Sequence, residues 1–320
     1  MSSAPVLAAQ GDRLRTALAR ARSVDPEPLV VPDGERAKSW AELGRLLSGM
    51  AARGLARDGG IVAFGGGTVG DVGGLAASLA LRGVPVVQVP TTLLAAVDSA
   101  LGGKTAVNLA GGKNLAGSFH HPRFVCADTR LLDTLSERDF RSGLAEVAKC
   151  ALLSATFWRR LPRLVEGLRS RDPRALAEAI GRSLRLKASV VARDPDEALG
   201  LRHVLNLGHT VAHALEGASA YRLRHGEAVA WGLLAALRLS ADRGRLPGPI
   251  AEAAAETLRS LLAPPPLSSV VRRDYPKFLP RDKKRDRAGL RDVLLDAPGR
   301  PRLERVSEKE LAASLPSGDG

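Results

Sequence analysis

The stretch Gly60–Val89, GIVAFGGGTVGDVGGLAASLALRGVPVVQV, decides the fold. Gly60 to Phe64 is a short apolar run that ends in Gly65-Gly66-Gly67, Asp71 to Arg82 reads as a helix, and Val84 to Val89 is a second apolar run rich in Val. Apolar runs of strand length bounded by glycines and alternating with helices are the pattern of a parallel α/β sheet, with nucleotide bound at the strand ends. Glycines between a strand and a helix let backbone N–H groups approach a pyrophosphate, and the helix N-terminus adds a favourable partial positive charge. The glycine spacing departs from GxGxxG, so the segment by itself says phosphate loop and no more.

Outward from this segment, Leu29 to Val31 is a short β-like run and Trp40 to Ala56 a helical stretch. From about Ser136 the pattern changes to successive Ala/Leu/Arg segments with helical periodicity: 138–153, 155–168, 173–191, 202–218, 226–243 and 250–262. The expected fold class is therefore α/β: an N-terminal parallel-sheet nucleotide-binding domain over residues 1–135, then an all-helical metal-binding domain over 136–320. There is no internal repeat.

At 320 residues and 45% hydrophobic, the chain can bury a core large enough for two domains. Arg, Asp or Gly interrupts each Leu/Ala-rich stretch before the ~18 residues that a membrane span needs. The N-terminus lacks a compact apolar region behind a basic start, so no secretory leader is expected and the expected compartment is the cytoplasm. The formal charge of +13 raises nucleic acid as a partner, but the cations are scattered and aromatics are only 3%, leaving few stacking platforms. No nucleic-acid partner and no membrane partner is expected. Cys126 and Cys150 lack the short spacing of a zinc-thiolate or redox pair and read as free thiols.

Of the 47 basic side chains only nine are Lys. A compact ammonium is not a planar fork, so lysines that persist among so many arginines mark positions where Arg cannot substitute. Lys38, Lys104, Lys113, Lys149, Lys187, Lys283 and Lys284 all fall in motif-like blocks, as do Asn108, Asn114 and Asn206. The metal signal lies in NLGHTVAHALE and the HGE that follows: His209 and His213 share a helical face, His225 opens the next helix, and Glu146 and Lys149 lie three apart on an earlier one. One carboxylate and two imidazoles leave positions open for substrate oxygens, as in catalytic zinc sites.

Read in order, GERAKS, GGGTVGD, LRG, PTTLLAAVDSALGGKTAVN, GGKNLAGSFHHP, RSGLAEVAK, LRHVLNLGHTVAHALE, HGEAVA and DKK resemble the motif series of 3-dehydroquinate synthases, in the sugar-phosphate cyclase family. The resemblance runs from about residue 5 to 296. It implies conversion of 3-deoxy-arabino-heptulosonate 7-phosphate to 3-dehydroquinate, with NAD and one divalent metal, zinc or cobalt, as cofactors. The metal ligands it implies are Glu146, His209 and His225, with His213 touching substrate. Asp98, Lys104, Asn114, Lys149, Lys187, Arg202, Asn206, Lys283 and Lys284 match active-site positions, and Arg82 matches one that reaches a neighbouring subunit's phosphate site, implying a homodimer. For NAD the matching positions are Glu35, Lys38, Gly66, Gly67, Thr68, Asp71, Thr91, Thr92, Lys104, Lys113, Thr134 and Leu135, with Asp139 where the family often has Glu.

The chain departs from the family pattern in three places. The family's first strand, with an Asp and an Asn that hold the adenosine ribose, is expected to be lacking, which would weaken NAD binding and bare a sheet edge. Ala212 stands where Gly is usual, and the stretch from Lys187 to Arg202, which includes Glu197, is one residue long.

Overall fold

The computed structural model describes residues 1–20, 28–281, 285–286 and 289–316. Lys283 and Lys284 lie outside the described residues. The chain divides into two compact units, Met1–Ser136 and Glu137–Gly320.

In the first unit, β3 (Ile61–Gly65) pairs in parallel with β4 (Val86–Pro90), and β4 with β7 (Phe124–Val125). The apolar runs of β3 and β4 are largely buried because α3 (Gly67–Leu79) covers them with Val69, Val72 and Leu75. α2 (Trp40–Ala52) starts where Ser39 caps the Glu42 N–H and buries Leu43, Leu46 and Met50 at helical spacing. These side chains join Val31, Ile61, Ala63, Val84, Val86 and Val107 in one core, each large one worth roughly 1.5–3 kcal/mol when fully buried.

Before α1 (Ala4–Arg20), β1 (Ser2–Ser3) runs parallel to β2 (Val30–Val31). The Met1 carbonyl accepts from the Phe64 N–H at 2.9 Å, and the Met1 amino group donates to the Val62 carbonyl at 2.8 Å. Residues 1–3 thus lie along β3, with Ser2 and Ser3 buried. Two elements were not expected from the sequence: α1, and an antiparallel hairpin of β5 (Lys104–Leu109) and β6 (Gly112–Phe119). The helix expected over 71–82 starts earlier and stops at Leu79. Leu81 and Arg82 then take left-handed backbone, φ 51° and 66°, as the chain reverses into β4.

The second unit is largely helical. α4 (Glu137–Leu152), α5 (Pro173–Val191), α6 (His209–Ala218), α7 (His225–Asp242) and α8 (Gly248–Leu262) carry its core. α5 begins as its sequence dictates, with Asp172 capping the Ala175 N–H at 2.8 Å and Pro173 in the first turn. The expectation of an all-helical domain is corrected by a three-stranded antiparallel sheet, β8 (Arg285–Asp286), β9 (Gly289–Ala297) and β10 (Arg300–Val306). β9 packs on α7, where the Leu295 N–H donates to Ser240 Oγ at 3.0 Å. The helix expected over 202–218 is also split: Leu201–Asn206 is a 3-10 turn, and α6 starts only after Gly208, whose φ is 75°. Likewise 155–168 breaks into the helical turn Ala155–Trp158, a 3-10 turn at Leu161–Arg163 and a short helix Val165–Arg169.

Candidate functional site

In the second unit α4 presents Glu146, α6 His209 and α7 His225. The seams between these helices are fixed by three glycines. Gly226 follows His225, and a Cβ there would lie 2.0 Å from the Ser142 carbonyl oxygen, so α7 starts in direct backbone contact with α4 one turn before Glu146. Ser142 Oγ accepts from the Gly226 N–H at 2.9 Å and sets the register. Gly208 precedes His209, and its carbonyl lies 2.0 Å from where a Cβ on Gly232 of α7 would stand. Backbone contacts of this kind leave the three side chains no freedom to drift apart.

One nitrogen or oxygen from each of Glu146, His209 and His225 falls within 4.8 Å of the others. Glu146 is fully buried; its Oε1 lies 3.3 Å from His225 Nε2 and 3.5 Å from His209 Nε2, and its Oε2 lies 2.5 Å from Lys149 Nζ. Burial pushes the Glu146 carboxyl up, but Lys149 foremost, with His225 and His209, outweighs it and holds the group ionised, well below the usual carboxylate range. Burial pulls the His225 imidazole down, yet Glu146 and Glu216 outweigh that and raise it to about 10.

His209 donates from Nδ1 to the Leu207 carbonyl at 3.1 Å, and His225 Nδ1 faces Glu216 Oε1 at 3.1 Å. Both rings therefore turn Nε2 toward the same buried carboxylate, whose two oxygens complete no hydrogen bond of good geometry among the described residues. An anion and two imidazole nitrogens converging at this range fit a divalent cation, and the set of one carboxylate and two His with open positions is that of a catalytic zinc-type site. His213 lies on α6 with its ring 5.7 Å from that of His209 and is exposed. Ala212 beside it is fully buried.

The same unit holds Lys187 on α5 and Arg202 in the 201–206 turn, both buried. Arg202 is placed by Asp194, whose carboxylate accepts from the Leu199 and Arg202 N–H groups at 2.9 and 3.3 Å, and its guanidinium donates to the Pro195 carbonyl at 2.8 Å. Asn206 ends the same turn and lines a small cavity with His203, Arg291 and Asp292. Glu197 sits in the intervening loop with left-handed φ, 57°. Asp139 opens α4 and pairs with Arg224 at 3.2 Å.

In the first unit the carboxyl ends of β3 and β4 bring Gly66, Gly67 and Thr68 beside Thr91 and Thr92; a Cβ on Gly66 would meet Thr92 Cγ2 at 3.2 Å. α3 has no side-chain cap and no acidic residue in its first turn, so its leading N–H groups fit a pyrophosphate. Lys38, 3% exposed, bonds both Asp71 and Asn114, which joins two positions assigned to cofactor with one assigned to substrate. Asn108 brackets them: its side chain donates to Glu35 at 2.7 Å and accepts from the Asn114 N–H at 2.9 Å, where Asn114 is left-handed. Thr134 accepts from Gln10 at 3.0 Å, with Leu135 next to it. Lys104 and Lys113 are exposed on the β5–β6 hairpin, Asp98 is half-buried in the turn after β4, and Arg82 is exposed.

Three residues, Glu216, Ser142 and Asp194, escaped the sequence analysis, as did the bracketing role of Asn108. Glu216 alone left a signal, an acidic residue two turns after His209 on one helical face.

The family model described as "3-dehydroquinate synthase N-terminal" matches residues 28–142, and "3-dehydroquinate synthase C-terminal" matches 143–285. Proteins named 3-dehydroquinate synthase from Geotalea uraniireducens and Citrifermentans bemidjiense are 46% and 42% identical over 82% and 88% of this chain, and 73% and 78% of their own length. Among solved structures, 2-deoxy-scyllo-inosose synthase complexed with carbaglucose-6-phosphate, NAD+ and Co2+ is 29% identical, with TM-score 0.84. The 2-epi-5-epi-valiolone synthase of Streptomyces hygroscopicus subsp. jinggangensis, with NAD+ and Zn2+ bound, is 28% identical, with TM-score 0.86. Each alignment covers 98% of this chain and 88% of the other.

Proposed function

The chain belongs to the 3-dehydroquinate synthase family and makes 3-dehydroquinate, and from that premise we propose which of its residues carry the reaction. The reaction converts 3-deoxy-arabino-heptulosonate 7-phosphate to 3-dehydroquinate and phosphate by transient oxidation, phosphate elimination, re-reduction and intramolecular aldol closure. When bound, NAD supplies the hydride chemistry and a divalent metal, zinc or cobalt, supplies Lewis-acid chemistry.

Residues 136–320 form the metal- and substrate-binding domain in this reading, and Glu146, His209 and His225 hold the metal. The observation that carries it is the convergence of a fully buried carboxylate with two imidazole Nε2 atoms. Lys187 and Arg202 bind the substrate's carboxylate, a role supported by the burial of both cations in this unit. His213, exposed on the face of α6 that carries His209, binds the phosphate and orients it for departure, with Lys149, Asn206, Lys283 and Lys284 completing the substrate contacts. Holding one conformer of a flexible sugar is itself a large part of the work.

Residues 1–135 form the NAD-binding domain. Gly66, Gly67 and Thr68 cradle the pyrophosphate at the uncapped start of α3, Lys38 and Asp71 with Glu35 shape one wall, and Thr91, Thr92, Thr134, Leu135, Lys113 and Asp139 complete the NAD contacts. Lys104, Asp98 and Asn114 serve the substrate. The protein acts as a homodimer in which Arg82 reaches the partner's phosphate site. Support comes from Arg82 itself, exposed on a strained left-handed turn and without a hydrogen bond or ion pair among the described residues. A cytoplasmic location is proposed with this function; Cys126 and Cys150 are unbridged, as in a reducing compartment. No described helix is long and apolar enough to cross a membrane.

Mixing the protein with NAD, a divalent metal and the heptulosonate phosphate should release phosphate. Sedoheptulose 7-phosphate, which lacks the carboxylate, should be turned over poorly. Efficient turnover of the latter would overturn the roles given to Lys187 and Arg202.

A further inference from the structure

Glu216 stands behind the metal site rather than in it. It lies two turns after His209 on α6, so both project from the same helical face. The turn that follows is tied down. The Glu216 carbonyl accepts from the Tyr221 N–H at 2.8 Å and from Ser219 Oγ at 2.9 Å, Ser219 Oγ accepts from the Leu223 N–H at 3.2 Å, and Arg138 donates to the Arg222 carbonyl at 2.9 Å. Ala220 and Tyr221 take left-handed backbone, φ 50° and 60°, to close it. The turn delivers His225 with Nδ1 3.1 Å from Glu216 Oε1, and the Glu216 side chain is only 15% exposed.

The two imidazoles are therefore oriented by different partners. His209 Nδ1 meets a neutral backbone carbonyl, whereas His225 Nδ1 meets a carboxylate. When a metal displaces the Nε2 proton, a carboxylate on Nδ1 holds the remaining proton there and makes Nε2 the stronger donor. The same charge adds to that of Glu146 in a pocket that Lys149 alone would leave electrostatically balanced.

We propose that Glu216 is a positioning residue that orients and strengthens His225 and so sets the affinity of the metal site, without touching the ion. This rests on the reading that Glu146, His209 and His225 hold the metal. In competition with a chelator for Co2+, E216A should bind the ion ~10- to 100-fold more weakly than the parent. E216Q keeps an acceptor oxygen but no charge, so it should fall between the two, and only E216A should markedly shift the ligand-field absorption of bound Co2+. NAD affinity should stay at the parental value in both variants. Equal Co2+ affinity of E216A, E216Q and parent, within about twofold, overturns the inference. If E216A fails to fold, E216Q decides alone: parental affinity then refutes the role of the charge. H225A separates this failure from failure of the underlying reading, because retention of Co2+ by H225A would show that the metal lies elsewhere.

Discussion

Gly226→Ala should damage the fold and the metal site together. The new Cβ would stand 2.0 Å from the Ser142 oxygen, 2.4 Å from its Cα and 2.5 Å from its carbonyl carbon, where ordinary contacts begin at 3.4 Å. All three neighbours are backbone, so no side chain can swing aside, and α4 and α7 must part by roughly 1 Å or more. Overpacking of this kind costs ~1–3 kcal/mol, and weakening the Gly226 N–H to Ser142 Oγ bond adds about 1 kcal/mol. The helix preference of Ala over Gly returns up to ~1 kcal/mol. The net loss of ~1–3 kcal/mol corresponds to a melting-temperature drop of roughly 3–10 °C for a domain of this size. The same displacement carries His225 away from Glu146, now 3.3 Å apart, while metal bonds tolerate only about ±0.2 Å. Calorimetric melting and chelator competition on G226A and parent give both readings. A variant that melts within about 1 °C of the parent and keeps its metal affinity would refute the claim that this seam builds the site.

In α2, Gly44 is exposed with nothing within 4 Å of an added Cβ, so Gly44→Ala should stabilise the protein by ~0.5–1 kcal/mol in denaturant melts; destabilisation would contradict that placement. Ser307, then Arg243, holds the Glu310 carboxyl at about 2, below its ordinary 4.5. Its ionised form therefore favours folding above pH 4.5, and this support fades as pH falls toward 2. The stability gap between parent and Glu310→Gln should be full at pH 7 and close on acidification, and a gap independent of pH would refute this. Arg82→Ala and His225→Ala should each be inactive alone, and mixing them under subunit exchange should restore activity if Arg82 serves the partner's site. Mixtures no more active than their components would remove that role.

What the sequence made legible follows from local physics. The buried strands 61–65 and 86–90 announce themselves by unbroken apolar runs, and Pro173–Val191 by its Asp172 cap and Pro start. The β5–β6 hairpin was hidden because GKNLAGSF on β6 is mostly exposed and its large apolar residues, Leu115 and Phe119, lie on the exposed positions. The C-terminal sheet was hidden because Arg291 and Asp292 interrupt β9; Asp292 is tolerated in the core through a bond from Thr210, 82 positions away, that no local pattern encodes. The Pro298-Gly299 turn was the missed cue. At the site, helical spacing pairs His209 with His213, whereas the structure gathers His209 with His225 and Glu146 across three helices. The family resemblance supplied that set, and spacing alone left it open. Glu216, Ser142 and Asp194 act through partners brought near only by the packing of the helices and turns, so their roles became readable with the fold.

The most direct test is an anomalous-scattering map from crystals grown with NAD and either Zn2+ or Co2+. The account predicts one strong peak bonded by Glu146, His209 and His225 at about 2.0–2.2 Å, with the NAD pyrophosphate at the start of α3. A peak ligated by His213 in place of His225, or lying away from Glu146, would contradict it.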